Sequence, residues 1–95
     1  MDLLAMVVSR HPQAIAQAIE DDTLVLKLDT GRMGVLNRVG GRVWDLMDGT
    51  RSLRQIALEC AEYYEADLAQ VEADVVSYAD DLLERDMIVL EDKLS

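Results

Sequence analysis

Apolar residues recur along this chain with two periods. From Thr23 the period is two: Leu24, Leu26 and Leu28 alternate with Val25 and Lys27, the pattern of a half-buried strand with its leucines toward the core. Asp29-Thr30-Gly31 supplies turn chemistry, and residues 32–36 can return as the second arm of a hairpin. With Thr30 and Gly31 as the loop, Leu28 would face Met33 and Leu26 would face Val35. Residues 13–19 are ambiguous. Their alanines and glutamines favour helix, whereas Ile15, Gln17 and Ile19 alternate with alanines as a strand would. Glu20-Asp21-Asp22 would then turn the chain into Thr23.

Beyond Leu36 the period lengthens to that of a helix. Asn37 is a good N-cap, and Val39, Val43, Trp44, Leu46 and Met47 form an apolar stripe that stops at Asp48-Gly49. Gly49 suits a left-handed position at the helix end. Ser52 and Gln55 match a capping box that opens a second helix running to about residue 64. Asp67 and Gln70 repeat that logic for a third, running to about residue 85. The third helix carries two stripes, Val71, Val75, Tyr78 and Leu82 on one face and Val76, Ala79 and Leu83 beside it, more than a one-sided core contact needs. Residues 87–90 suit a short terminal strand. The pattern predicts an α+β fold, winged-helix-like, with a small antiparallel sheet followed by three helices in one domain over residues 1–95.

Composition narrows what such a domain does. Nineteen acids oppose nine bases, a net charge of -10, with eight units of the excess falling after Thr50. That field repels nucleic acid and anionic membrane and favours basic partners. The third helix holds Glu72, Asp74, Asp80, Asp81 and Glu84 against the single base Arg85, the reverse of a DNA-recognition helix. No apolar run approaches a membrane span. The start, residues 1–12, is apolar but lacks a basic n-region and a cleavage site, so it reads as a frayed or docked arm of a cytoplasmic protein rather than a signal peptide. The lone Cys60 shares a helical face with Leu53, Ile56, Ala57 and Tyr64 and reads as a core residue. His11 is the only histidine, and no nucleophile–base pair, phosphate loop or metal-ligand cluster is present. The expectation is a protein that is not an enzyme and holds no cofactor and no metal. An acyl-carrier role would need Asp-Ser-Leu at a helix start. The chain has Arg51-Ser52-Leu53, and Ser52 is accounted for as an N-cap. The competing class is an acidic protein-protein scaffold acting through a helical face.

The string LDTGRMGVLNRVGGRVWDLMDGTRSLRQIA, followed by YYEADLAQVEADVVSYADDLLERDMI, resembles the PqqD-like proteins, recognition elements for ribosomally made, post-translationally modified peptides. The landmarks are Gly31, Leu36-Asn37, Trp44, Asp48-Gly49 and the spaced Val71, Val75 and Leu82, and the resemblance covers about residues 14–90. It implies a three-stranded meander with residues 14–19 as its first strand. It further implies that the chain binds the leader of a precursor peptide by β-strand addition, most like the discrete recognition subunit of lasso-peptide biosynthesis. The partners would then be a basic leader, a leader peptidase and a cyclase. The implied site is the edge strand Arg32, Met33, Gly34, Val35 and Leu36, together with Val76, Ala79 and Leu83 lining a groove and Asp80 at its rim. Proline at Gly34 would block a ladder donor. Two departures stand out: Met33 and Gly34 where the family often has aromatic residues, and Asp86 where it usually has glycine.

Overall fold

Asn37 separates a strand from a helix by the bond its side chain makes. In the computed structural model of the chain, which describes residues 2–91, Asn37 is extended and its Oδ1 accepts from Gly40 N at 2.9 Å. This N-cap opens helix α1, Arg38–Leu46, and contributes about 1 kcal/mol. Ahead of it lies the meander β2 (Ala14–Ile19), β3 (Asp22–Lys27) and β4 (Met33–Leu36), antiparallel and in the order β2-β3-β4. Residues 14–19 are thus strand, as the family resemblance implied and against their helix propensity. Helix α2, Leu53–Tyr64, carries the expected capping box between Ser52 and Gln55. Helix α3, Leu68–Glu84, starts at Asp67 without the expected box: Asp67 makes no side-chain cap bond, and Gln70 instead donates to Asp74 at 3.0 Å one turn on.

A second three-stranded sheet joins the expected architecture. Strand β1 (Val7–Arg10) lies between β5 (Asp48–Ser52) and β6 (Ile88–Leu90), antiparallel to both. The N-terminal arm is therefore docked, with Val8 fully buried; Met1, the arm's first residue, lies outside the described residues. β5 has the sequence of a loop, Asp-Gly-Thr-Arg-Ser, with Gly49 at φ +84°. It is a strand because β1 pairs with it, a tertiary cause that overrides propensity. The core between the sheets and helices gathers Val8, Val25, Leu36, Trp44, Met47, Ile56, Val75, Leu82 and Met87. Cys60 is buried within it, and burial pushes its thiol pKa up.

The hairpin is built differently from the expectation. Leu26 pairs with Met33 and Leu24 with Val35, so the register is offset by two residues and the connection spans residues 28–32. Gly31, at φ +75°, closes it by donating to the Lys27 carbonyl at 2.7 Å. The faces are also inverted: Val25 and Lys27 are fully buried, while Leu28 is exposed and Leu24 and Leu26 only half-buried. Lys27 is accommodated on the buried face. Its Nζ meets Asp86 at 2.9 Å and Asp29 at 3.2 Å, and a lysine so paired can occupy the inward face.

The glycine pair has two neighbours. A Cβ on Gly40 would stand 3.0 Å from the Tyr78 ring and 3.2 Å from Leu36 Cβ, and a Cβ on Gly41 would stand 2.5 Å from Thr23 Oγ1. Helix α1 thus rests against α3 through Gly40 and against β3 through Gly41.

Candidate functional site

The hydrogen-bond phase of β4 decides which of its groups are free. Lys27 N donates to the Arg32 carbonyl at 2.8 Å, so Lys27 and Arg32 form a hydrogen-bonded pair. Alternation then makes Val25/Gly34 and Thr23/Leu36 bonded pairs and leaves Leu26/Met33 and Leu24/Val35 as non-bonded ones. Among the described residues β4 has a neighbour on one side only. The backbone N–H and C=O groups of Met33 and Val35 therefore point outward along an open edge. Those of Gly34 and Leu36 are used within the sheet, and the Leu36 side chain is buried. Proline at Gly34 would consequently break the sheet rather than block the edge, and Val35 is the position that tests the edge. Arg32 is exposed at the end of this row.

Helix α3 runs past this edge in the opposite sense to β4. Tyr78 Oη donates to Asn37 Oδ1 at 2.9 Å near the end of β4, and Arg85 Nη1 donates to the Met33 carbonyl at 2.8 Å near its start. Tyr78, Asp81 and Arg85 therefore flank the open edge, with Asp81 accepting from Arg85 Nε at 3.2 Å. The expected groove residues lie elsewhere on the helix. At about 100° per residue, Val76, Asp80 and Leu83 stand about 160°, 160° and 140° round the axis from Tyr78. Asp80 is exposed, Leu83 packs against the core, and Ala79 is fully buried. The structure thus brings Met33 and Val35 to the site and turns Val76, Ala79, Asp80 and Leu83 away from it. The second stripe serves the core and the flank opposite β4. Arg85, the single base of that region, was visible in the sequence, but nothing there indicated a carbonyl partner 52 residues away.

On its outward face the meander is apolar. Ile15, Ile19, Leu28, Met33 and Val35 are each at least half exposed, and Ile15, Ala16, Gln17, Leu24 and Leu26 line a shallow depression of about 80 Å³. Patches of this kind mark interaction surfaces.

One ion pair ties the end of α3 to the sheet. Asp86 sits at φ +60°, the left-handed turn that glycine usually supplies, and its carboxylate reaches Lys27. The Lys27 hydrogen bond lowers the Asp86 pKa from its ordinary 3.8, and Asp86 in turn raises that of Lys27 from 10.5. A lowered carboxylate stabilises the fold above its unfolded pKa and loses that contribution as pH falls through the folded value; a raised lysine does so below its unfolded pKa and loses it as pH rises. Thermal melts followed by circular dichroism are therefore expected to show a plateau between about pH 4 and pH 9 with a fall on each side, the alkaline one begun by Cys60 and extended by Lys27. In Lys27→Met the alkaline fall should shrink. An alkaline limb as steep as in the unaltered protein would show that Lys27 does not contribute to it.

The family model described as "Coenzyme PQQ synthesis protein D (PqqD)" matches residues 22–88, which run from the start of β3 through the three helices to the start of β6. The chain belongs to the PqqD family. Two curated PqqA binding proteins, from Xanthomonas euvesicatoria pv. vesicatoria (strain 85-10) and Xanthomonas axonopodis pv. citri (strain 306), are each 51% identical to it over 43 residues. That match covers 45% of this chain and 47% of each relative, so it spans about half their length. The fold is shared with TbiB1, solved in complex with the TbiA(beta) leader peptide, at a TM-score of 0.73 and 24% identity over 92% of this chain and 99% of the other. It is equally shared with the PqqD truncation of Methylobacterium extorquens PqqCD, a stand-alone peptide recognition element, at 0.73 and 23% identity over 94% and 99%. Within this PqqD-family chain no group of three or more potential metal ligands occurs among the described residues, and no helix there is long and apolar enough to cross a membrane.

Proposed function

We propose that this PqqD-family chain is a single, non-catalytic recognition domain that binds the leader of a ribosomally made precursor peptide. The leader adds as a strand to the outer edge of β4. The observation that carries this reading is the outward row of Met33 and Val35 backbone groups, flanked by Tyr78, Asp81 and Arg85. Main-chain bonds give such a guest its affinity, and side chains on alternate faces give it specificity. Support comes from the relatives that bear the name PqqA binding protein and from the fold shared with a protein solved with a leader peptide. The pathway is of the lasso type, in the cytoplasm, and the bound leader is presented to a peptidase and a cyclase, for which the apolar outward face of the meander offers a docking surface. Fluorescence anisotropy of a labelled leader, taken from a precursor encoded beside this chain, is expected to saturate. Failure of every such leader to bind would remove the proposal.

A further inference from the structure

The Met33 carbonyl is an outward acceptor that an added strand would use, and in the free protein it is already occupied. Arg85 Nη1 donates to it at 2.8 Å, while Arg85 Nε holds Asp81 one turn back at 3.2 Å. The same Nη1 lies 3.5 Å from where a Cβ on Gly34 would be, which places the guanidinium on the inward side of β4, over the one position in the strand without a side chain. The Arg85 side chain is 43% exposed, free enough to move.

Strand geometry states what an incoming guest must do there. The guest residue beside Met33 needs the Met33 carbonyl for its own N–H and sends its side chain to the outward face with Met33. The guest residue opposite Gly34 sends its side chain inward, toward the space beside Gly34 that Arg85 Nη1 and the Met87 thioether border. A carboxylate there accepts from the guanidinium that the guest N–H has released, a charge-assisted bond stronger than the neutral one given up. A lysine or arginine there meets like charge.

We infer that Arg85 is a specificity-determining residue of the peptide site: it covers the Met33 carbonyl in the free protein, yields it to the guest strand, and pairs with an acidic side chain of the guest residue opposite Gly34. This rests on the leader-binding reading and refines it. The net charge of -10 favours basic segments at long range, but at the edge itself Arg85 selects one acid.

The test is selection of a phage-displayed library of random linear peptides on the protein, on Arg85→Gln and on Arg85→Glu, each checked for an unchanged circular dichroism spectrum. The unaltered protein is expected to enrich Asp or Glu at one position of an otherwise alternating apolar pattern. Arg85→Glu should enrich Lys or Arg at that same position, and Arg85→Gln should show no charge preference there. For a selected synthetic peptide, Glu→Gln at that position should weaken binding to the unaltered protein roughly tenfold and leave binding to Arg85→Gln nearly unchanged. Identical selections from all three proteins would overturn the role of Arg85 and leave leader binding standing. No enrichment by the unaltered protein would overturn leader binding, and this inference with it.

Discussion

Val35→Pro is expected to reduce leader binding at least tenfold while moving the melting temperature by no more than a few degrees. The Val35 N–H points away from β3, so removing it takes nothing from the meander. Proline is tolerated on edge strands for this reason, and the residue before it, Gly34, is already extended, the conformation that a following proline favours. The Val35 side chain is 68% exposed, so little packing is lost. What disappears is one outward donor, replaced by a ring that obstructs the guest backbone. One lost bond and its crowding account for about 1.4 kcal/mol or more, a tenfold loss. Gly34→Pro should do the opposite. It deletes the donor that pairs with Val25 inside the sheet, and its main effect should be a lower melting temperature. Anisotropy and thermal melts on the two variants separate edge from ladder. Equal binding by Val35→Pro and the unaltered protein would show that the guest does not use this edge.

That pair of variants also marks where reading the sequence succeeded and where it stopped. The strand at β4, the cap at Asn37, the capping box at Ser52 and the anchoring of Trp44 are local matters of spacing and side-chain type, and each is present. The inward face of the hairpin was not readable, because hydrophobic alternation fits two faces equally until one is chosen. The face that is buried carries Lys27, which is accommodated there by Asp86, 59 residues away. A lysine is expected in water, so the leucine row appeared to be the core. The same limit applies to the site. Two apolar stripes on α3 are visible in sequence, but which one faces β4 depends on how the helix is rotated in the fold. Tyr78 and Arg85 report that rotation through Asn37 and Met33, contacts that no local pattern encodes. The strands β1 and β5 likewise exist through each other, one from an apparent arm and one from an apparent loop.

Gly41→Ala is expected to destabilise the protein by about 2 kcal/mol, or a melting temperature roughly 10 °C lower for a chain of this size. In isolation the substitution should help, since alanine is favoured over glycine in a helix by up to about 1 kcal/mol. Here the added Cβ would stand 2.5 Å from Thr23 Oγ1 and 3.3 Å from Thr23 Cβ. Thr23 is β-branched and sits in β3, so its χ1 has little freedom to yield. Either α1 lifts from the sheet or β3 shifts, and both disturb the Asn37 joint that leads into β4. The sign should change when the obstacle is removed. In Thr23→Ala the nearest atom is gone, and Gly41→Ala should become near neutral because the helix preference then offsets the remaining tight approach to Cβ. A double-mutant cycle measured by denaturant unfolding would give a coupling of about 1–3 kcal/mol. Additive effects of the two substitutions would mean that Gly41 is needed for some cause other than the approach to Thr23. The coupled outcome would show that the adjacent glycines let one helix touch a strand and a second helix at once, and so hold β4 with its outer edge open.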